Sequence, residues 1–156
     1  MEHRIERREA FHVVGVRERF EPGKIDGIPA LWHRFLAISE NVPDEIAGAH
    51  YGVCIDDRDP AAGAPGFFYM ACTGVTSLER VPEGMVGYTV PAGKYAVFTH
   101  RGPISTFART ITKIWREEIP AAGLKTTGAP DLEVYGERFR GESPESEVEV
   151  WVPVAG

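Results

Sequence analysis

Apolar residues between Phe11 and Phe20 fill both registers of a period-two pattern. His12, Val14 and Val16 alternate with Phe11, Val13 and Gly15, which predicts a strand buried on both faces. Glu21, Pro22 and Gly23 end it with turn chemistry. Pro29 stands at a first helical position, and Leu31, Phe35 and Ile38 follow at helical spacing, with Trp32 and Leu36 widening the stripe. The spacing predicts a helix over Pro29–Ser39, closed by Pro43. Strands are predicted over Tyr51–Ile55 and Phe67–Val75, paired as a wide hairpin across the Asp, Pro, Ala and Gly-rich loop 56–66. The polar stretch Ser77–Gly84 reads as a linker.

The pattern then restarts. Met85–Val90 is strand-like, Pro91 to Gly93 turn the chain, and Lys94–His100 alternates again. Pro103 opens a second helix, whose row Phe107, Ile111, Ile114 and Glu118 runs beside Trp115 until Pro120 and Gly123 stop it. Leu132–Phe139 and Glu147–Val154 are the closing strands. In the last, Val148, Val150, Val152 and Val154 face one way, and Glu147, Glu149 and Trp151 the other. Laid side by side, Phe11–Phe20 answers Lys94–His100 and helix Pro29–Ser39 answers Pro103–Ile119. Tyr51–Ile55 answers Leu132–Phe139, and Phe67–Val75 answers Glu147–Val154. The expectation is an α+β fold, a single domain over residues 1–156. It is built from two strand–helix–strand–strand repeats at about 8–76 and 85–155, with a cleft where they meet.

Composition narrows the function. The hydrophobic share of 43% and charged share of 26% are those of a globular chain. A net charge of −6 argues against a partner held through phosphates and favours the approach of cations. Arg4, Arg7 and Arg8 cluster, but Glu2, Glu6 and Glu9 interleave with them, as on a solvated strand edge or a frayed terminus. Cys54 and Cys72 lie inside apolar runs and read as buried free thiols. No stretch approaches the roughly 20 apolar residues of a membrane span, and no apolar leader is present. No membrane association is expected, and a bacterial, cytoplasmic setting is the default.

Catalytic signatures are sparse. His3, His12, His33, His50 and His100 lack metal-ligand spacing, with His100 reading as a capping or surface residue. There is no CxxC, no GxSxG and no Gly-rich phosphate loop, so neither metal nor cofactor is expected. Residues 56–59 read as a solvated acidic loop and 142–149 as an exposed acidic hairpin. The informative segment is 132–135. Alternation puts Leu132 and Val134 on one face, matched to the valine row of the last strand, and Glu133 and Tyr135 on the other with Trp151. If water bathes that face, Glu133 is an ordinary surface carboxylate. If the halves close over it, it is a carboxylate among rings that needs a partner, and a ligand cation on aromatic faces supplies one. Tyr51, Tyr69, Trp32 and Trp115 are further candidates for such a wall.

Residues 90–103 (Val90 to Pro103) closely resemble the central motif of the GyrI-like small-molecule-binding domains, which are also the effector-binding domains of AraC- and MerR-type regulators. Leu132–Tyr135 and Glu147–Val154 resemble the family's closing strands, Tyr51 with Gly52 and Phe68–Met70 its first-half strands, and Ile119–Gly123 the end of its second helix. The resemblance implies a duplicated strand–helix–strand–strand fold. It also implies multidrug-type binding of amphipathic, often cationic molecules in a central aromatic cleft. Carried over, it implies that Glu133 faces the ligand and that Tyr135, Tyr51, Tyr69 and Trp151 are wall residues. Regulator members carry a helix-turn-helix segment ahead of this domain, whereas the present chain begins almost at the first strand. The expectation is therefore a stand-alone member without direct nucleic-acid binding. Such members sequester drugs or protect gyrase from inhibitors, so gyrase or a separate transcription regulator is a candidate protein partner. Some are similar to hydrolases that open cyclopropane rings of alkylating agents. In that alternative Glu133 activates water and Tyr135 donates to the developing oxyanion.

Overall fold

The computed structural model describes residues 1–156, the side chain of Pro60 apart. Eight strands form one antiparallel sheet. They are β1 (His3–Arg8), β2 (Phe11–Phe20), β3 (Glu45–Asp57), β4 (Gly66–Val75), β5 (Val86–Val90), β6 (Gly93–Arg101), β7 (Asp131–Tyr135) and β8 (Glu147–Pro153). Helix α1 is Ile28–Ile38 and α2 is Phe107–Lys113. A π-helical turn over Ile114–Glu118 and a final turn α3 (Ile119–Ala121) continue α2.

The expected repeat is present as element order: β2-α1-β3-β4, then β6-α2-β7-β8. The two halves do not form separate sheets. Antiparallel pairing of β3 with β7 joins them, giving the order β1-β6-β8-β7-β3-β4-β2-β5. The join satisfies backbone groups that two free edges would leave unpaired. The outer strands are exchanged. β1 is followed after two residues by β2 but pairs with β6, and β5 is followed after two residues by β6 but pairs with β2. Such short links between strands so far apart in the order require the sheet to curl back on itself.

Curling gives the sheet two apolar faces. Its concave interior packs Val13, Val53, Met70, Tyr95, Leu132 and Trp151 together. On the convex side α1 lays Leu31 and Phe35 against Val14, Val16, Ala71 and Val75. There α2 and its continuation lay Phe107, Ile114 and Ile119 against Phe98, Val148, Val150 and Val152. β2 and β4 are covered on both faces over most of their length, which is why they read as near-continuous apolar runs.

Element ends differ from the sequence expectation in three instructive places. β3 begins at Glu45, earlier than Tyr51, because a register shift between Glu45 and His50 absorbs the small residues Ala47, Gly48 and Ala49. Gly48 takes a φ of 116° there, a value side chains other than glycine rarely adopt. β7 stops at Tyr135 because Gly136 starts the turn that returns the chain at Phe139. Pro103 precedes a 3-10 turn over Ile104–Thr106, and α2 proper starts at Phe107. The buried His100 fixes that start: its Nε2–H donates to the Pro103 carbonyl at 3.2 Å, and its Nδ1 shares a hydrogen bond with the Thr110 hydroxyl at 2.6 Å. Cys54 and Cys72 are free thiols. No helix of the described residues is long and apolar enough to cross a membrane.

Candidate functional site

Side chains directly opposite one another in an antiparallel pair share a face. The register therefore runs Val16, Ala71, Gly52, Glu133 and Val150 in one row across the convex face. A parallel row holds Val14, Thr73, His50 and Tyr135. Both rows lie under the gap between α1 and α2, and the gap is a cavity of about 1240 Å³. Trp32 and Leu36 of α1 form one wall, Phe107 and Ile111 of α2 the other, and Tyr69, Glu133 and Tyr135 the floor. The bulged start of β3 and Phe139 of the β7–β8 turn complete the mouth.

One carboxylate oxygen, Glu133 Oε1, accepts hydrogen bonds from the Tyr69 and Tyr135 hydroxyls, each at 2.7 Å. Trp32 Nε1–H donates to the Tyr69 hydroxyl at 2.9 Å. The chain Trp32–Tyr69–Glu133–Tyr135 thus ties α1, β4 and β7 together. It crosses β3 only because residue 52 is glycine. A Cβ there would meet the Tyr69 hydroxyl and would stand 2.7 Å from Glu133 Oε1. Tyr135 is the aromatic hub, with its ring edge-on to Trp32 at 5.1 Å and to Phe139 at 5.1 Å, and 6.4 Å from Phe107.

No lysine or arginine among the described residues pairs with Glu133. Burial pushes its carboxyl above the ordinary range, and the two tyrosine hydrogen bonds only partly oppose that. Burial, then the neighbouring carboxylate, raises both Tyr69 and Tyr135, so they stay protonated donors. Asp131, one strand turn away on the same face, is pushed up to about 7 by burial and by Glu133. Burial and the same acids hold the Cys54 thiol protonated. No group of three or more metal-ligating side chains gathers among the described residues.

Four of the seven residues singled out from sequence meet at this cavity: Glu133, Tyr135, Tyr69 and Trp32. Three do not. Trp151 is opposite Leu132 and shares the concave core with it, stacked edge-on to Tyr95. It is the row Val148, Val150, Val152 that shares Glu133's face, because the register sets Val150 opposite Glu133, and alternation within β8 alone does not say which side of β7 each of its rows joins. Tyr51 is opposite Val134, also on the concave side, where its hydroxyl accepts from Arg8 at 2.9 Å. Trp115, one position beyond the buried Ile114, points outward and is 39% exposed. His50, Phe107, Ile111 and Phe139 were not expected in the wall. His50 reaches the cavity because it stands opposite Tyr135, and Phe107 and Ile111 reach it from the helical row of α2.

Tyr69→Phe removes one donor to the carboxylate and the only acceptor of Trp32 Nε1–H. It is expected to lower stability by about 1–3 kcal/mol, read as a shift in the urea midpoint at unchanged slope.

A fold of duplicated halves, with an aromatic cavity over their shared strands and a carboxylate at its floor, defines a small-molecule-binding domain. The GyrI-like small molecule binding domain matches residues 1–155, and the chain belongs to that family. It is 38% identical over 160 residues to the transcriptional regulator BrlR of Pseudomonas aeruginosa PAO1, covering 99% of this chain and 56% of the regulator. The chain thus spans little more than half the length of that curated relative. The structure of SAV2435 bound to tetraphenylphosphonium superposes with a TM-score of 0.82 at 21% identity, over 100% of this chain and 95% of that one. A putative bacterial transcription regulation protein from Staphylococcus aureus MU50 gives 0.76 at 23% identity, over 100% and 99%. The C-terminal domain of EcmrR gives 0.64 at 16% identity, over 99% and 97%. These structural likenesses bear on the fold.

Proposed function

We propose that the chain binds small amphipathic cations, planar or multiply aromatic, in the cavity between α1 and α2, with Glu133 balancing the charge. One observation carries this reading: a buried carboxylate, hydrogen-bonded by two tyrosines on a single oxygen, has no cationic partner among the described residues. Such a group either takes up a proton or meets a cation. The rings of Trp32, Tyr135 and Phe107 suit a delocalised, weakly hydrated cation. The tetraphenylphosphonium held by SAV2435 has this chemistry, and the proposal extends it to the present chain. The role is effector binding or drug sequestration, in the setting of transcription regulation suggested by the relationship to BrlR. Hydrolysis of cyclopropane-bearing alkylators has weaker support. The Tyr135 hydroxyl is committed to Glu133 and is not free to donate to an oxyanion.

The test is calorimetric titration with tetraphenylphosphonium, with 1:1 stoichiometry expected. Its pH dependence has a fixed sign. A cation favours ionised Glu133, whose carboxyl in the free protein is raised above 4.5. Affinity therefore increases as pH rises toward that raised value and levels off beyond it, and binding below it releases a proton. Titration in buffers of different ionisation enthalpy reads that proton. Uptake in place of release, or affinity flat from pH 4.5 to 8, would overturn the role of the carboxylate.

A further inference from the structure

The cavity has a second polar feature, away from Glu133. Thr73 is 1% exposed and lines the cavity, yet its hydroxyl has no hydrogen-bond partner. It stands mid-strand in β4 with Val14 on one side and His50 on the other. A valine of the same shape would fill this position without burying an unpaired hydroxyl, so nothing in the packing calls for threonine. His50 also lines the cavity, held edge-on by Phe35 at 5.4 Å. Its imidazole has a donor and an acceptor to offer. The row then continues to Tyr135, which is bonded to Glu133. Thr73 lies two strands and two residues from Glu133, about 12 Å at the backbone. The two polar features are therefore separate places within one cavity.

Resting on the reading of the cavity as a cation site, we propose that Thr73 and His50 form a second subsite, which takes an uncharged hydrogen-bonding group of the ligand. A hydroxyl suits it best, since it donates and accepts as both residues do. The preferred ligand is then a cation carrying a hydroxyl at the far end of an aromatic ring, in preference to a purely lipophilic cation.

Two matched probes test this by calorimetry: tetraphenylphosphonium, which has no hydrogen-bonding atom, and (4-hydroxyphenyl)triphenylphosphonium. The wild-type protein is expected to bind the hydroxylated probe about tenfold more tightly, as one buried hydrogen bond allows. Thr73→Val is expected to abolish that preference, read as the ratio of the two affinities in the variant, and to raise the melting temperature of the free protein. Thr73→Ser keeps a hydroxyl and is expected to keep the preference, which makes the comparison independent of how well the valine variant folds. Equal affinity of the wild type for the two probes, or a preference that survives Thr73→Val, would overturn the subsite alone. Failure of both probes to bind the wild type would instead overturn the cation-binding reading beneath it.

Discussion

Glu133→Gln is expected to weaken tetraphenylphosphonium binding by about 30- to 100-fold, roughly 2–3 kcal/mol. The glutamine carbonyl still accepts from Tyr69 and Tyr135, so the hydrogen-bonded chain from Trp32 persists and the fold is kept. What disappears is the negative charge under the rings. A cation there then leans mainly on ring faces, and each is worth much less than a buried counter-charge. The part of the pH dependence of affinity that belongs to Glu133 should vanish with the charge. Stability has a matching signature. A carboxyl whose pKa is raised on folding makes the free protein most stable below the ordinary carboxylate range, with stability falling as pH rises toward the raised value. The glutamine variant should lose Glu133's share of that decline, and Asp131, which Glu133 helps to raise to about 7, should complete its own share at a lower pH than in the wild type. Unchanged affinity with unchanged pH dependence would remove Glu133 from the binding account.

Gly52→Ala should cost about 1–3 kcal/mol of stability and more than tenfold in affinity, although it adds a single methyl group. Its backbone is not in the left-handed region, so the effect is steric alone. The new Cβ would stand 2.8 Å from Tyr69 Cζ and 2.7 Å from Glu133 Oε1, in the space where the two side chains meet over β3. Either the tyrosine or the carboxylate must move, and the carboxylate then loses a donor. Gly74→Ala is the natural control. Its Cβ would meet the Tyr51 ring at an ordinary 3.6 Å, on the concave face. Urea unfolding and probe titration of both variants separate a site-specific effect from a general one. Equal losses in the two would argue against the close approach at Gly52.

The comparison between glycines shows what the chain discloses on its own. Element order and most strands are legible because the period-two runs and the Pro29 helix are local signals. The resemblance at residues 90–103 and 132–135 then points to Glu133. The assembly of the site is not local. Glu133, Tyr69 and Gly52 stand on three strands, and only the register says which faces they share. Tyr51 and Tyr69 look alike in sequence yet lie on opposite sides of the sheet, because one is opposite Val134 and the other opposite Cys54. Trp151 joins the concave side for the same reason: only the register, which sets it opposite Leu132, says which face of β7 the Glu147, Glu149 and Trp151 row shares. Gly52 did leave a trace. A glycine inside a strand pattern signals close approach of another group, and that signal points to the side chains on β4 and β7.

The exchange of outer strands bears on how the molecule is made. His3 pairs with Phe98 and Arg8 with Gly93, so β1 has no partner until synthesis has passed β6. Meanwhile β2, β3 and β4 can already zip together with α1 on their convex side. Contacts of such sequence separation are slow to close, and β1 is expected to dock among the last elements, when the second half arrives. The nascent first half therefore presents β3 as an unpaired ribbon edge, the one β7 later covers. During that interval the edge invites pairing with another chain.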